Sequence, residues 1–229
     1  MRKPVRVEIW SDLVCPWCYI GTARFEQALA GFEHRADVEV VHRSFELDPH
    51  RERTEPVADM LVDMLVEKFG AGGVGLDGKV AAVAHGDGLA YVSDREVGNT
   101  VDAHRLLHLA RERGVEREVL QAMYRAHFAE GRSLFTPEAL TKVAVDAGLD
   151  EDDVRRVLES DAYLDAVRAD EREAARLGAN GVPFFVVDGR YGISGAQPVE
   201  LFTKALETAW ADRPVAVLQD VNACSVDGC

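Results

Sequence analysis

The sequence predicts a mixed α/β chain in which a β-α-β unit and a β-β-α unit flank a long helical insertion. Three observations predict it. Alternating apolar residues at Val5, Val7 and Ile9 lead into Cys15-Pro16-Trp17-Cys18 and a helical stretch. From about Glu55 to Gly178 nearly all of the chain has helical periodicity. After Gly178 short apolar runs return around an Asp188-Gly189 pair, a strong hairpin signal.

Residues 5–10 read as the first strand. The helix after it covers Thr22 to Ala30 and begins at Pro16, because proline already holds the φ of a first helical turn. Gly31 ends it. Val38-Glu39-Val40-Val41 is the second strand, and Pro49 closes the segment that follows. Pro56 to Phe69 is amphipathic. The run Gly70-Ala71-Gly72-Gly73-Val74-Gly75 lacks a following Lys-Ser/Thr, so it is read as a flexible connection and not as a phosphate-binding loop. Helices follow at 100–113, 116–130, 137–147, 151–159 and 161–177. Thr136-Pro137-Glu138 caps one of them, and Asp150-Glu151-Asp152-Asp153 places negative charge at the positive end of the next. The stretch 146–173 is rich in carboxylates, as a solvated helix face would be. Phe184–Val187 and Arg190–Ile193 are paired strands, and Pro198 to Trp210 is the last helix.

With the helical block set aside, the order is β-α-β…β-β-α, the thioredoxin-like arrangement. The expected organisation is a discontinuous thioredoxin-like domain, residues 1–50 and 179–210. A helical insertion domain spans 51–178, and a tail, 211–229, carries a cysteine pair.

Composition narrows the functions. Of 229 residues, 26 are Lys or Arg and 40 are Asp or Glu, a formal charge of −14 that repels phosphate backbones; nucleic acid is not an expected partner. No stretch approaches the ~20 apolar residues of a membrane span, and no apolar core follows the basic start Met1-Arg2-Lys3-Pro4. A cytoplasmic protein without a membrane partner is expected.

The four cysteines fall in two close pairs, Cys15/Cys18 and Cys224/Cys229. A stapled secreted domain spreads its cysteines along the chain, whereas close pairs suit redox cycling or metal binding. Cys15 stands where a strand hands over to a helix, and unpaired N–H groups and the helix dipole stabilise an anion there. Cys15 is therefore the candidate nucleophile. Cys18, one turn on and on the same face, is the candidate resolving thiol. Pro16 and Trp17 line the thiolate's surroundings and contact substrate.

Gly181-Val182-Pro183-Phe184 supplies a second element. Pro183 precedes a buried strand and is a candidate cis residue, which leaves the Val182 backbone free to pair with an extended substrate. Glu8 is a candidate proton shuttle: a carboxylate pointing inward beneath the helix has a raised pKa and can serve Cys18. Cys224 and Cys229 are a candidate auxiliary redox pair, since the chain from Ala211 to Cys224 can reach roughly 40 Å. His104 either faces the groove beside the dithiol or is satisfied in packing between the domains.

The segment Ile9 to Gly21 resembles the active-site stretch of the DsbA-like thioredoxin oxidoreductases, and within them the cytoplasmic FrnE-type branch. Asn99-Thr100-Val101-Asp102-Ala103-His104-Arg105 is similar to that branch too. So are Gly181-Val182-Pro183-Phe184-Phe185 and Gly192-Ile193-Ser194-Gly195-Ala196-Gln197. The resemblance spans about residues 5 to 210. It implies a thioredoxin fold with an inserted helical domain, a nucleophile at Cys15, a resolving thiol at Cys18 and a cis Pro183. With one extra residue in the loop before Cys15, Glu8 matches the family's buried acid.

The expected function is thiol–disulfide exchange with protein or small-thiol substrates. No dissociable cofactor is needed, and glutathione is a possible co-substrate. Three other readings compete. Half of a zinc site is one, but strand-Cys-Pro-Trp-Cys-helix is poor knuckle chemistry, and no metal site is expected. A kappa-class glutathione transferase or 2-hydroxychromene-2-carboxylate isomerase is another; those enzymes typically carry Ser where this chain has Cys15. The third is a holdase with an apolar groove, which can coexist with redox activity.

Overall fold

The computed structural model describes residues 3–60 and 76–213. Most of the helix expected at 56–69, the glycine-rich run 70–75 and the Cys224/Cys229 pair lie outside the described residues.

The framework is a four-stranded sheet in the order β2-β1-β5-β6. β1 (Val5–Ser11) runs parallel to β2 (Val38–Ser44), with Val7 opposite Val40 and Ser11 opposite Ser44. β5 (Phe184–Val187) lies antiparallel on the other edge of β1, with Ile9 opposite Phe185. It turns back through Asp188-Gly189 into β6 (Tyr191–Ser194). The parallel β1–β2 pair needs a crossover, and α1 (Pro16–Gly31) supplies it.

Strand alternation gives β1 two different faces. Val5, Val7 and Ile9 are fully buried against Phe25 of α1 and against Phe202 and Leu206 of the C-terminal helix (Val199–Ala211). Phe25, Phe185 and Phe202 pack ring on ring at 4.6–5.8 Å between centroids. Truncating one of these rings to Ala would cost about 3–5 kcal/mol. Glu8 and Trp10 point to the other face.

The middle of the chain is mainly helical. Numbered after α1, its helices are α2 (Leu76–Gly86), α3 (Val101–Arg113), α4 (Glu116–Tyr124), α5 (Pro137–Asp146), α6 (Glu151–Leu158) and α7 (Leu164–Arg176); the C-terminal helix is α8. The expected Thr136 cap forms, and Asp150, expected only to place charge at a helix start, caps the next helix. Thr136 accepts the Ala139 N–H at 3.2 Å, and Asp150 accepts those of Asp152 and Asp153 at 3.0 Å. α3 ends at Gly114, whose φ of 75° reverses the chain at the helix end.

Three elements differ from their sequence reading. β2 runs three residues past Val41, because His42 and Ser44 are polar yet buried. The helix read at 116–130 is α only to Tyr124 and continues as one π turn over Arg125–Ala129. Between α2 and α3 the chain is not helical: Glu96–Val97 forms a short strand (β4) against Glu55–Pro56 (β3). Among the described residues no helix is long and apolar enough to cross a membrane.

Candidate dithiol site

Between β1 and α1 lie four residues, Asp12 to Cys15. Pro16 opens α1 and Cys15 is its N-cap, with extended backbone (φ −83°, ψ 111°). The Cys15 carbonyl accepts the N–H groups of Cys18 and Tyr19 at 3.0 and 3.2 Å, so the first turn is wound tightly around this residue. Both thiols are free. Cys15 is 5% exposed and Cys18 is fully buried. Trp17 between them is 41% exposed, an aromatic surface standing beside Cys15.

The Val182–Pro183 peptide is cis, and its loop meets the start of α1. The Cys15 thiol donates to the Val182 carbonyl at 3.7 Å. The loop comes this close because α1 has a glycine at position 21. A Cβ there would stand 2.9 Å from Pro183 Cγ and 3.3 Å from the Ala196 backbone. Sequence positions more than 160 residues apart therefore meet at one sulfur.

The surroundings of Cys18 are different. Its sulfur accepts the Asp12 backbone N–H at 3.5 Å. Burial pushes the Cys18 thiol well above the ordinary cysteine range. The neighbouring Cys15 thiol and the Asp12 charge push it further, and the Asp12 N–H opposes them. The buried Tyr124 hydroxyl is also pushed up, first by burial and then by charge at Cys18. These groups pack within the apolar cluster of the helical block, where Leu13 and Ile20 join Leu106, Leu120 and Met123.

Glu8 does not point beneath α1, and this corrects the expectation for it. Val7 and Ile9 occupy the α1 face, so alternation sends Glu8 to the opposite side of the sheet. There it accepts from Arg43 Nε at 3.0 Å and lies 3.6 Å from Arg6. Arg43 also bonds Asp170 of α7 at 2.8 Å. Asp170 in turn accepts the Ser44 N–H at 3.0 Å and gives its carbonyl to the Trp10 indole at 2.9 Å. The network joins β1, β2 and α7.

The carboxylate that lies near Cys18 is Asp12, which the sequence reading did not single out. It is 1% exposed, one residue past the end of β1. Asp12 Oδ2 accepts the Leu47 N–H at 2.7 Å, and Oδ1 lies 3.5 Å from Nε2 of His104, also 1% exposed. An acid immediately after an apolar strand and three residues before Cys15 was the available signal. His104 thus faces the dithiol region. Its neighbour Arg105 is structural, donating to the Ala162 carbonyl and to Asp102 at 2.8 and 2.6 Å.

Comparison with known proteins agrees with this architecture. The model of the DSBA-like thioredoxin domain family matches residues 6–207. The crystal structure of a probable DsbA oxidoreductase from Streptomyces coelicolor is 55% identical, with a TM-score of 0.85 over 98% of each chain. The cytosolic disulfide reductase DsbM of Pseudomonas aeruginosa, solved with GSH, is 18% identical over 90% of this chain and 99% of its own, with a TM-score of 0.61; it shares the fold. YwbO of Bacillus subtilis is 28% identical over 212 residues, 88% of this chain and 96% of its own. With its sheet order, its dithiol at the start of α1 and this match along most of its length, the chain belongs to the DSBA-like thioredoxin domain family.

Proposed function

We propose that this protein is a thiol–disulfide oxidoreductase that works through Cys15-Pro16-Trp17-Cys18. Cys15 attacks a substrate disulfide, its electron pair forms the new S–S bond, and one substrate sulfur leaves as thiolate. Cys18 then attacks Cys15 of the mixed disulfide, closes the Cys15–Cys18 ring and releases the second substrate thiolate. The observation that carries this reading is the meeting of Cys15 with the Val182 carbonyl at the amino end of α1. That end of the helix favours negative charge, and the Val182–Pro183 loop offers backbone for an extended chain to pair with.

Trp17 and Pro16 complete the contact surface, and Pro183 shapes it. Substrates are protein disulfides or small-thiol disulfides, with glutathione as a possible co-substrate and no dissociable cofactor. The setting proposed is the cytoplasm. Cys224 and Cys229 are proposed as an auxiliary pair that passes electrons to or from the main dithiol.

Trapping tests the reading. Cys18→Ser should accumulate a mixed disulfide at Cys15, visible by mass as one added substrate thiol, whereas Cys15→Ser should accumulate none. Equal adducts in both variants would sink the assignment of roles. The reduction potential then sets direction: a value near about −120 mV makes the protein a disulfide donor, and one near about −270 mV a reductase.

A further inference from the structure

The Val182–Pro183 loop is held to α1 at two places one helical turn apart. The first is the close approach at Gly21. The second is Arg24, three residues on and on the same face of the helix. Its Nη1 donates to the Ala196 carbonyl at 2.7 Å. Ala196 follows Gly195, which takes a left-handed φ of 80° and donates its N–H to the Pro183 carbonyl at 2.8 Å. Arg24 therefore reaches the cis-proline loop through one residue and one hydrogen bond.

The rest of the guanidinium faces the helical block. Nε donates to Asp87 Oδ2 at 2.6 Å and Nη2 to Oδ1 at 3.3 Å, a two-point grip. Asp87 is fixed at the end of α2, where its N–H donates to the Val83 and Ala84 carbonyls, each at 3.1 Å. One planar group thus ties together the dithiol helix, the helical block and the loop that meets Cys15. The two side chains are 20% and 28% exposed. An ion pair so open to water adds little to stability. What its rigid fork contributes is direction, which an ammonium on a flexible stem would not supply.

We propose that Arg24 is a positioning residue that sets the Val182–Pro183 loop for substrates with a peptide backbone, with Asp87 as its anchor. The proposal rests on the dithiol reading above. An extended segment beside a substrate disulfide pairs with the Val182 main chain while Cys15 attacks. The Cys15 sulfur's electron pair forms the new S–S bond, and the other substrate sulfur leaves with the pair of the broken one. The backbone pairing is made before and during attack alike, so its loss is read as weaker saturation more than as a slower limiting rate. A small disulfide without a peptide backbone has nothing to pair there, and it reaches Cys15 whether or not the loop is held. Arg24 therefore acts on the choice between the two substrate classes and not on the sulfur chemistry itself.

The test uses the full chain with Cys224→Ser and Cys229→Ser, fully reduced, and two disulfides that release the same coloured nitrobenzoate thiolate. One is the symmetrical nitrobenzoate disulfide, whose first release reports attack by Cys15 and whose second reports ring closure by Cys18. The other is an extended peptide whose single cysteine carries that thiol. Arg24→Met keeps the length of the stem and removes the fork. It should raise the half-saturating peptide concentration about tenfold and leave both phases with the symmetrical disulfide within about twofold. Asp87→Asn leaves the Ala196 bond in place and should shift the peptide reaction in the same sense by about threefold; it decides the matter if Arg24→Met does not fold. Equal losses on the two disulfides, or none on either, overturn the proposal, and an effect in Arg24→Met alone overturns the part given to Asp87. A parent protein that never shows a second release overturns the dithiol reading instead.

Discussion

Glu8 and Asp12 lie four residues apart at and just beyond β1, and they have opposite surroundings. Glu8 is held by Arg43 and Arg6 within a network that continues to Asp170. Asp12 is more deeply buried and meets one backbone N–H and a histidine. The first arrangement is balanced: charges on three elements cancel, and the result is a tie between β1, β2 and α7. The second has no arginine or lysine partner among the described residues, and it is the Asp12 main-chain N–H that bonds the Cys18 sulfur. The role open to a carboxylate therefore follows from the groups packed around it.

The largest expected way to strain both sides at once is acid. His42 and His127 are buried, and burial first, then nearby arginines, lowers each from 6.5 to about 3. The unfolded chain takes these protons first, so stability is full above about pH 6.5 and falls as the pH drops toward 3. Each histidine contributes a slope of about 1.4 kcal/mol per pH unit in that window. Urea unfolding at pH 7 and pH 5 measures it. His127→Phe, among Phe128 and Phe135, should remove one of the two contributions, and an unchanged slope would contradict it.

Next in size is the balanced network. Asp170→Asn weakens the partner of Arg43 and should lower unfolding free energy by about 3 kcal/mol, with dithiol exchange kept. At the meeting of α1 and the Val182–Pro183 loop, Gly21→Ala should cost about 1–3 kcal/mol, because the new methyl meets Pro183 and Ala196. It should also slow Cys15 attack by displacing Val182. A Gly21→Ala protein with parental stability would show that the loop yields freely. The smallest effect is expected for Glu8→Gln, about 1 kcal/mol at a partly exposed pair, with both phases of exchange unchanged. A slowed closure phase in that variant would erase the distinction between the two acids.

Much of this molecule was legible in the chain. Val5, Val7 and Ile9 alternate, α1 starts at Pro16 and stops at Gly31, and Asp188-Gly189 turns β5 into β6. These are local signals, carried by backbone preference and by apolar period. The less legible parts share a cause. His42 and Ser44 look like the end of a strand until Arg111 and Asp170 come from distant helices to bond their main chains. The π turn at Arg125–Ala129 leaves no mark on a pattern of apolar positions that a continuous helix also satisfies. Glu8 stands out in the sequence because spacing along the chain is visible, whereas the face of a strand is settled by what packs on it.

From residue order alone came the thioredoxin-like order of elements, the place of Cys15 at a helix start and the nearness of Cys18 one turn on. Each follows from interactions within a few residues, which short-range sterics and periodicity encode. Packing decided the rest. It placed Val182 against Cys15 across 167 positions, gave Glu8 to Arg43, set the Asp12 side chain beside His104 and put the Asp12 main chain on the Cys18 sulfur. Charge and proton affinity depend on burial and on neighbours within a few ångströms, and those neighbours exist only once the chain has closed on itself.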